Sequence, residues 1–221
     1  MNIFSERNNF KSAAKSQLKI ESFGIYFLAL LIIIGLAIIT GIVQEYLFGE
    51  SILNKIPDIL YNIFITPVFQ MGLVYIAVGI FRGNANFGMF LKPFTSYWGV
   101  IKLNILFGVR VFLYSLLFII PGIMLSYSYA MSNYIFEENP DLAASEILER
   151  SEQMMKGHRW QLFKFQLSFI GWWLLAICTC GLALVYVGPY FAVSHVNIYN
   201  ALKNETMPAS SDQIVVQQSQ E

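Results

Sequence analysis

The sequence predicts an all-α membrane protein: six transmembrane helices paired as three tandem hairpins, with a cytoplasmic amphipathic helix between the fourth and fifth. Three observations lead there. Apolar runs of roughly 20 residues recur along the chain, the length a helix needs to cross about 30 Å of hydrocarbon. The 221 residues are 56% hydrophobic and 13% charged, whereas water-soluble domains run nearer about 45–50% and about 25%. Lys and Arg also gather on alternate connecting segments rather than spreading evenly.

The first span covers residues 23–43 and carries no charged side chain. Residues 1–22 ahead of it read as a basic cytoplasmic segment, with Lys11, Lys15 and Lys19 on one side of a short helix near Phe10–Leu18. A polar start with no small-residue cleavage site after the apolar run does not fit a cleavable signal peptide. The second span covers 59–81. The apolar stretch from Gly99 to Phe136 is too long for one crossing, and Pro121-Gly122 falls inside it. Proline lacks a helix donor and glycine permits a turn, so a tight hairpin is expected there, dividing spans 99–120 and 121–136. Spans five and six, 160–180 and 181–202, join around Thr179-Cys180-Gly181. Residues 204–221, rich in Ser and Gln, suit a flexible cytoplasmic tail.

The segment 141–156 follows a different rule. Ala144, Ile147, Leu148, Met154 and Met155 recur at helical spacing, while Glu146, Glu149, Arg150 and Glu152 face the other way. Asn139-Pro140-Asp141 makes a start signal and Gly157 a stop. The acidic face argues against a sensor of anionic lipid charge, which would be rich in Lys and Arg.

Orientation follows from the cations. With the N-terminus inside, the inner segments hold Arg7, Lys11, Lys15, Lys19, Arg82, Lys92, Arg150, Lys156, Arg159 and Lys203. Lys102 and Lys164 fall near inner span ends, and the outer loops hold Lys55 alone. Positive charge stays on the cytoplasmic side, so both termini are expected there.

The second helix of each hairpin carries an early proline: Pro67, Pro121 and Pro189. Eight residues after each stand Tyr75, Tyr129 and Asn197. A triplicated hairpin, each copy running in–out–in, accounts for this pattern, and repeats are frequent in membrane folds. Helix breaks are expected at Pro67, Pro121, Gly122 and Pro189.

The second half carries a more specific pattern. It runs through Ile119-Ile120-Pro121-Gly122-Ile123, Tyr127-Ser128-Tyr129, Tyr134-Ile135 and Glu138-Asn139-Pro140. It continues with Ser151, Met154-Met155-Lys156-Gly157-His158, Leu162-Phe163 and Leu167-Ser168-Phe169-Ile170-Gly171-Trp172. Thr179-Cys180-Gly181, Gly188-Pro189-Tyr190 and Tyr199 complete it. This resembles the bacterial multi-pass membrane family catalogued as domain of unknown function 975. The resemblance implies a protein of the bacterial cell membrane and no settled activity.

Few residues invite chemistry. Arg110 lies about 16 Å into span three at about 1.5 Å per residue. A guanidinium at such depth costs at least about 2.5–3.5 kcal/mol, so it should face the bundle interior or a wet cavity. Neutral partners are at hand in Ser126, Tyr127, Ser128 and Tyr129 of span four and Gln70 of span two. Arg110 is then either a receptor for an anionic group or a structural hydrogen-bond hub. Ser126, Tyr129 and Asn133 share one helical face, and His195 with Asn197 adds polarity to span six. His195 fits an interhelical hydrogen bond better than a proton relay. His158 is expected on the solvated inner surface.

Other classes find no support. Cys178 and Cys180 sit too close for an unstrained disulfide and lack the further ligands of a metal site. No Ser/Lys or paired-aspartate arrangement lies within the spans, and no zinc-protease or phosphate-loop motif occurs, so no cofactor, metal or catalysis is expected. A formal net charge of zero gives no field for nucleic acid. No acidic residue lies within a span, which weakens proton- or cation-coupled transport. What remains is a noncatalytic lipid- or protein-binding protein that organises or regulates envelope components. The second reading is a small transporter or permease component for an anionic or amphipathic substrate. Membrane lipids and other membrane proteins are the expected partners.

Overall fold

A computed structural model describes residues 7–18, 20–48, 56–179 and 182–206, all of them helical or in short connections. The predicted outer loop at Lys55, the junction at Cys180-Gly181 and residues 207–221 lie outside the described residues. The short basic helix is α1 (Arg7–Gln17), and the first apolar run is α2 (Ile20–Phe48). The second divides into α3 (Ile56–Phe64) and α4 (Thr66–Arg82), separated at Ile65 with Pro67 at the start of α4. There the missing N–H of proline needs no partner.

A short α5 (Gly88–Leu91) and a 3-10 turn (Lys92–Ser96) lead into α6 (Tyr97–Leu117). The remaining helices are α7 (Ile119–Ser128), α8 (Ser132–Glu138), α9 (Ala144–Met155), α10 (Arg159–Leu167), α11 (Ile170–Cys178) and α12 (Leu182–Thr206).

Among the described residues, three stretches are long and apolar enough to cross a membrane: Gly24–Val43, Ile59–Arg82 and Gly88–Leu116. The predicted fourth and fifth spans are each broken in two. Their pieces, α7, α8, α10 and α11, have 10, 7, 9 and 9 residues, each about half or less of the roughly 20 a crossing needs.

α4 is the central helix, packed against α2, α6, α8, α12 and α1. Its Ile76 and Ala77 share a core with Val100 and Ile101 of α6, Ile147 and Leu148 of α9, and Val193 and Val196 of α12. The outer surface is apolar too: Ile38 and Ile39 of α2, Phe112 and Leu116 of α6, and Ile120 of α7 are all more than half exposed. A water-soluble monomer rarely carries so large an apolar surface; lipid makes it the ordinary one.

Several expectations change. Chain reversal between α6 and α7 occurs at Phe118, whose backbone is extended (φ −157°, ψ 142°), and not at Pro121-Gly122. Pro121 instead sits in the first turn of α7, where a missing donor costs nothing. Gly122 serves close packing: a Cβ there would fall on the Ser115 side chain and within 2.9 Å of Ser115 Cα. Pro189 breaks nothing, because α12 runs through it from Leu182 to Thr206. Neighbouring helices let a membrane helix absorb a proline. α12 also takes in residues 204–206, expected to begin the tail.

The face of Ser126, Tyr129 and Asn133 does not form on one helix, because the chain turns at Tyr129–Met131 between α7 and α8. Ser151 of α9 closes this break. Its buried hydroxyl donates to the Ser128 carbonyl at 2.8 Å and accepts from the Met131 N–H at 3.2 Å. The amphipathic helix therefore starts three residues later than Asp141 and packs into the bundle with Ile147, Leu148, Ser151, Met154 and Met155 buried.

Gly122→Ala should lower stability by about 1–3 kcal/mol through overpacking. Gly108→Ala on α6, where a Cβ meets nothing within 4 Å, should be neutral or stabilising by up to about 1 kcal/mol. Thermal unfolding of the two variants in detergent separates the cases; equal midpoints would deny the close α6–α7 contact.

Candidate functional site

Charged residues from distant parts of the chain meet where α4, α8 and α12 end. α4 stops at Gly83, whose left-handed backbone (φ 74°) turns the chain back after Arg82. α8 ends on Glu137-Glu138, and Lys203 lies in the last turn of α12. With Lys92, Arg150, Met154 and Tyr199 they line an open cavity of about 580 Å³.

Arg82 holds Glu137 with two parallel bonds, Nη1 donating to Oε1 at 3.0 Å and Nη2 to Oε2 at 3.1 Å. The Glu138 carboxylate accepts from Lys203 Nζ at 2.6 Å and from the Tyr199 hydroxyl at 2.8 Å. Tyr199 is held for this by stacking on Tyr134, ring centres 5.6 Å apart. Lys92 lies 5.4 Å from the Tyr75 ring centre and forms no ion pair among the described residues. Burial pushes the Glu137 carboxyl above its ordinary 4.5, with Glu138 adding to the rise and Arg82 and Lys92 opposing it. Its side chain is only 5% exposed against 43% for Arg82, so loss of hydration outweighs the attraction.

A second connection joins the same end. His158, just ahead of α10, places Nδ1 3.1 Å from Gln161 Oε1 and Nε2 3.3 Å from Glu205 Oε2 of α12. It is mostly buried and not the freely solvated residue expected.

Residues 102–206 match the model of a family described as a protein of unknown function, DUF975. The match bears out, over those residues, the family resemblance read from the sequence. The DUF975 segment begins inside α6 and closes with α12. It supplies Glu137, Glu138, Arg150, Tyr199 and Lys203 to the cavity, while Arg82 and Lys92 come from outside it. No curated protein and no solved structure matches the chain.

Most of the polar residues singled out from sequence fall in or beside the DUF975 segment but do not form one site. Arg110 Nη1 reaches the hydroxyl of Tyr129 at 3.4 Å, one of the neutral partners expected, and Tyr129 packs edge-on against Phe107. Gln70 is exposed on α4. Ser126 donates to the Ile123 carbonyl within its own helix, and Asn133 is half-buried on α8. Asn197 donates to Gln17 at 3.1 Å and to the Val193 carbonyl at 3.0 Å, fastening α1 to α12. His195 is buried between Phe191 and Phe165, ring centres 4.3 and 5.9 Å away. Its Nε2 has no hydrogen-bond partner among the described residues, so the expected interhelical bond at that atom is missing.

Sequence reasoning missed Ser151 and the grouping of Arg82, Glu137, Glu138 and Lys203. A signal existed for the second: each of the four lies at the inner end of a predicted span.

The raised Glu137 carboxyl predicts a pH dependence. A group titrating higher when folded adds stability at acid pH and loses it as pH rises through the folded value. Glu137→Gln, which cannot ionise, should therefore gain on the parent at neutral pH and lose that gain towards pH 4.5. Melting midpoints across this window test it, and a gap that widened on acidification would refute the assignment.

Proposed function

We propose that the chain is a noncatalytic multi-pass protein of the bacterial cell membrane that binds lipid or partner proteins at its cytoplasmic end, organising or regulating envelope components. The meeting of charges in one cavity carries this reading. In a six-span path with both termini inside, the ends of spans two, four and six and the start of span three share a side. Arg82, Glu137-Glu138, Lys203 and Lys92 come from those four places and line a single cavity. The His158–Glu205 contact supports the same placement for the start of span five. In this reading α7 with α8, and α10 with α11, act as composite crossings.

Such a cavity suits recognition. It carries Arg82, Lys92, Arg150 and Lys203 against Glu137 and Glu138, and a polar rim binds mainly through complementary charge. Transport of an anion is the second reading. Arg110 alone favours it, and its guanidinium already contacts Tyr129.

Topology is tested by single cysteines placed where Cys178 and Cys180 have been changed to Ala. Asn54→Cys should react with an impermeant maleimide in intact cells, and Asn86→Cys only after the membrane is opened. The reverse pattern would invert the protein. In liposomes the purified chain should leave an anion gradient as slow to decay as in empty vesicles. A flux abolished by Arg110→Leu would establish transport instead.

A further inference from the structure

An apolar groove of about 390 Å³ lies between α7 and α10, lined by Ile120, Ile123, Met124, Tyr127, Trp160 and Phe163. Its walls are ordered: Trp160 stacks on Phe163 at 4.9 Å, and the Tyr127 hydroxyl donates to Gln166 at 2.9 Å. At one end the groove reaches Arg159. Arg159 also lines a second pocket of about 290 Å³, shared with Glu149, Glu152, Gln153 and Lys156. One guanidinium thus joins an apolar trough to a charged recess.

That guanidinium is incompletely satisfied. Nη2 donates to Glu152 at 3.3 Å, while the buried Nε has no partner among the described residues. A buried N–H without an acceptor is costly, and an ionised one more so, so the site is short of one acceptor. A phosphate oxygen is the natural match for a guanidinium. A purely anionic headgroup would meet Glu149 and Glu152 in the recess; a headgroup with an ammonium would pair with them.

We propose that groove and recess together seat one phospholipid with an amine-bearing headgroup. An acyl chain fills the groove, the phosphate meets Arg159, and the ammonium faces Glu149 and Glu152. This rests on the membrane reading above and names the lipid class within it.

The full chain in mild detergent, offered phosphatidylethanolamine, phosphatidylglycerol or phosphatidylcholine at equal concentration, tests the site by native mass spectrometry. One phosphatidylethanolamine should be retained in preference to the other two. Ile123→Trp, which fills the groove from an exposed position, and Arg159→Gln should each weaken retention roughly tenfold. Arg159→Lys should restore part of it. Glu149→Gln with Glu152→Gln should move the preference towards phosphatidylglycerol. Equal retention of the three lipids, a parental preference for phosphatidylglycerol or phosphatidylcholine, or indifference to both Ile123→Trp and Arg159→Gln would overturn the proposal. Carbonate extraction keeps the two readings apart. A chain that stays in the membrane yet shows no amine preference loses only this site, whereas one released by carbonate loses the membrane reading as well.

Discussion

The buried hydroxyl of Ser151 ties the turn between α7 and α8 to α9, bonding two backbone groups at once. Inside a packed bundle an unpaired peptide group costs about 1–3 kcal/mol. A serine hydroxyl can donate and accept at once, so one side chain satisfies a carbonyl at the end of α7 and an N–H at the start of α8. The break matters because α8 is the element that brings Glu137 and Glu138 to Arg82 and Lys203. α9 therefore does more than cover the bundle: its buried face fixes the path of the helix that carries the acidic residues.

Two kinds of surface result. Around α2, α6 and α7 the exposed side chains are Ile, Leu and Phe, suited to acyl chains. At the end shared by α4, α8 and α12 the chemistry is ionic, with each carboxylate held by a cation and Glu138 also by a tyrosine. The pairings are between half-exposed cations and more deeply placed acids. Such an arrangement contributes less through raw Coulomb energy than by fixing which helix ends meet. Two buried nitrogens without a partner among the described residues lie elsewhere: Nε2 of His195 among aromatic rings, and Nε of Arg159 between an apolar groove and a charged recess.

Much of this was legible in the residues. The apolar runs located α2, α3–α4 and α6, and the helical period of 144–155 located α9 together with its buried face. Of the neutral partners offered to Arg110, Tyr129 lies in contact with it. Legibility failed where tertiary contacts decide local geometry. Proline was read as a breaker at three positions, yet Pro67 and Pro121 each stand in the first turn of a helix, two or three residues after the break, and Pro189 is carried within one. Hydropathy could not show that spans four and five are interrupted, since a turn such as Tyr129–Met131 has the same composition as its flanks. The cavity was hidden for another reason: its members are far apart in sequence, and only the folded path makes them neighbours.

The ion pairs of Arg82 have a consequence for biosynthesis. Arg82 emerges from the ribosome 55 residues ahead of Glu137, and Glu138 a further 65 ahead of Lys203. During synthesis the end of α4 is thus a cation without its counter-ion, free to interact with water or anionic headgroups. When α8 arrives, Glu138 meets Arg82 at 3.6 Å, while its closer partners Lys203 and Tyr199 wait for α12. Closure of this end is postponed until the last turn of α12, the final described helix, has been made, so a chain cut short before Lys203 would lack the cation closest to Glu138.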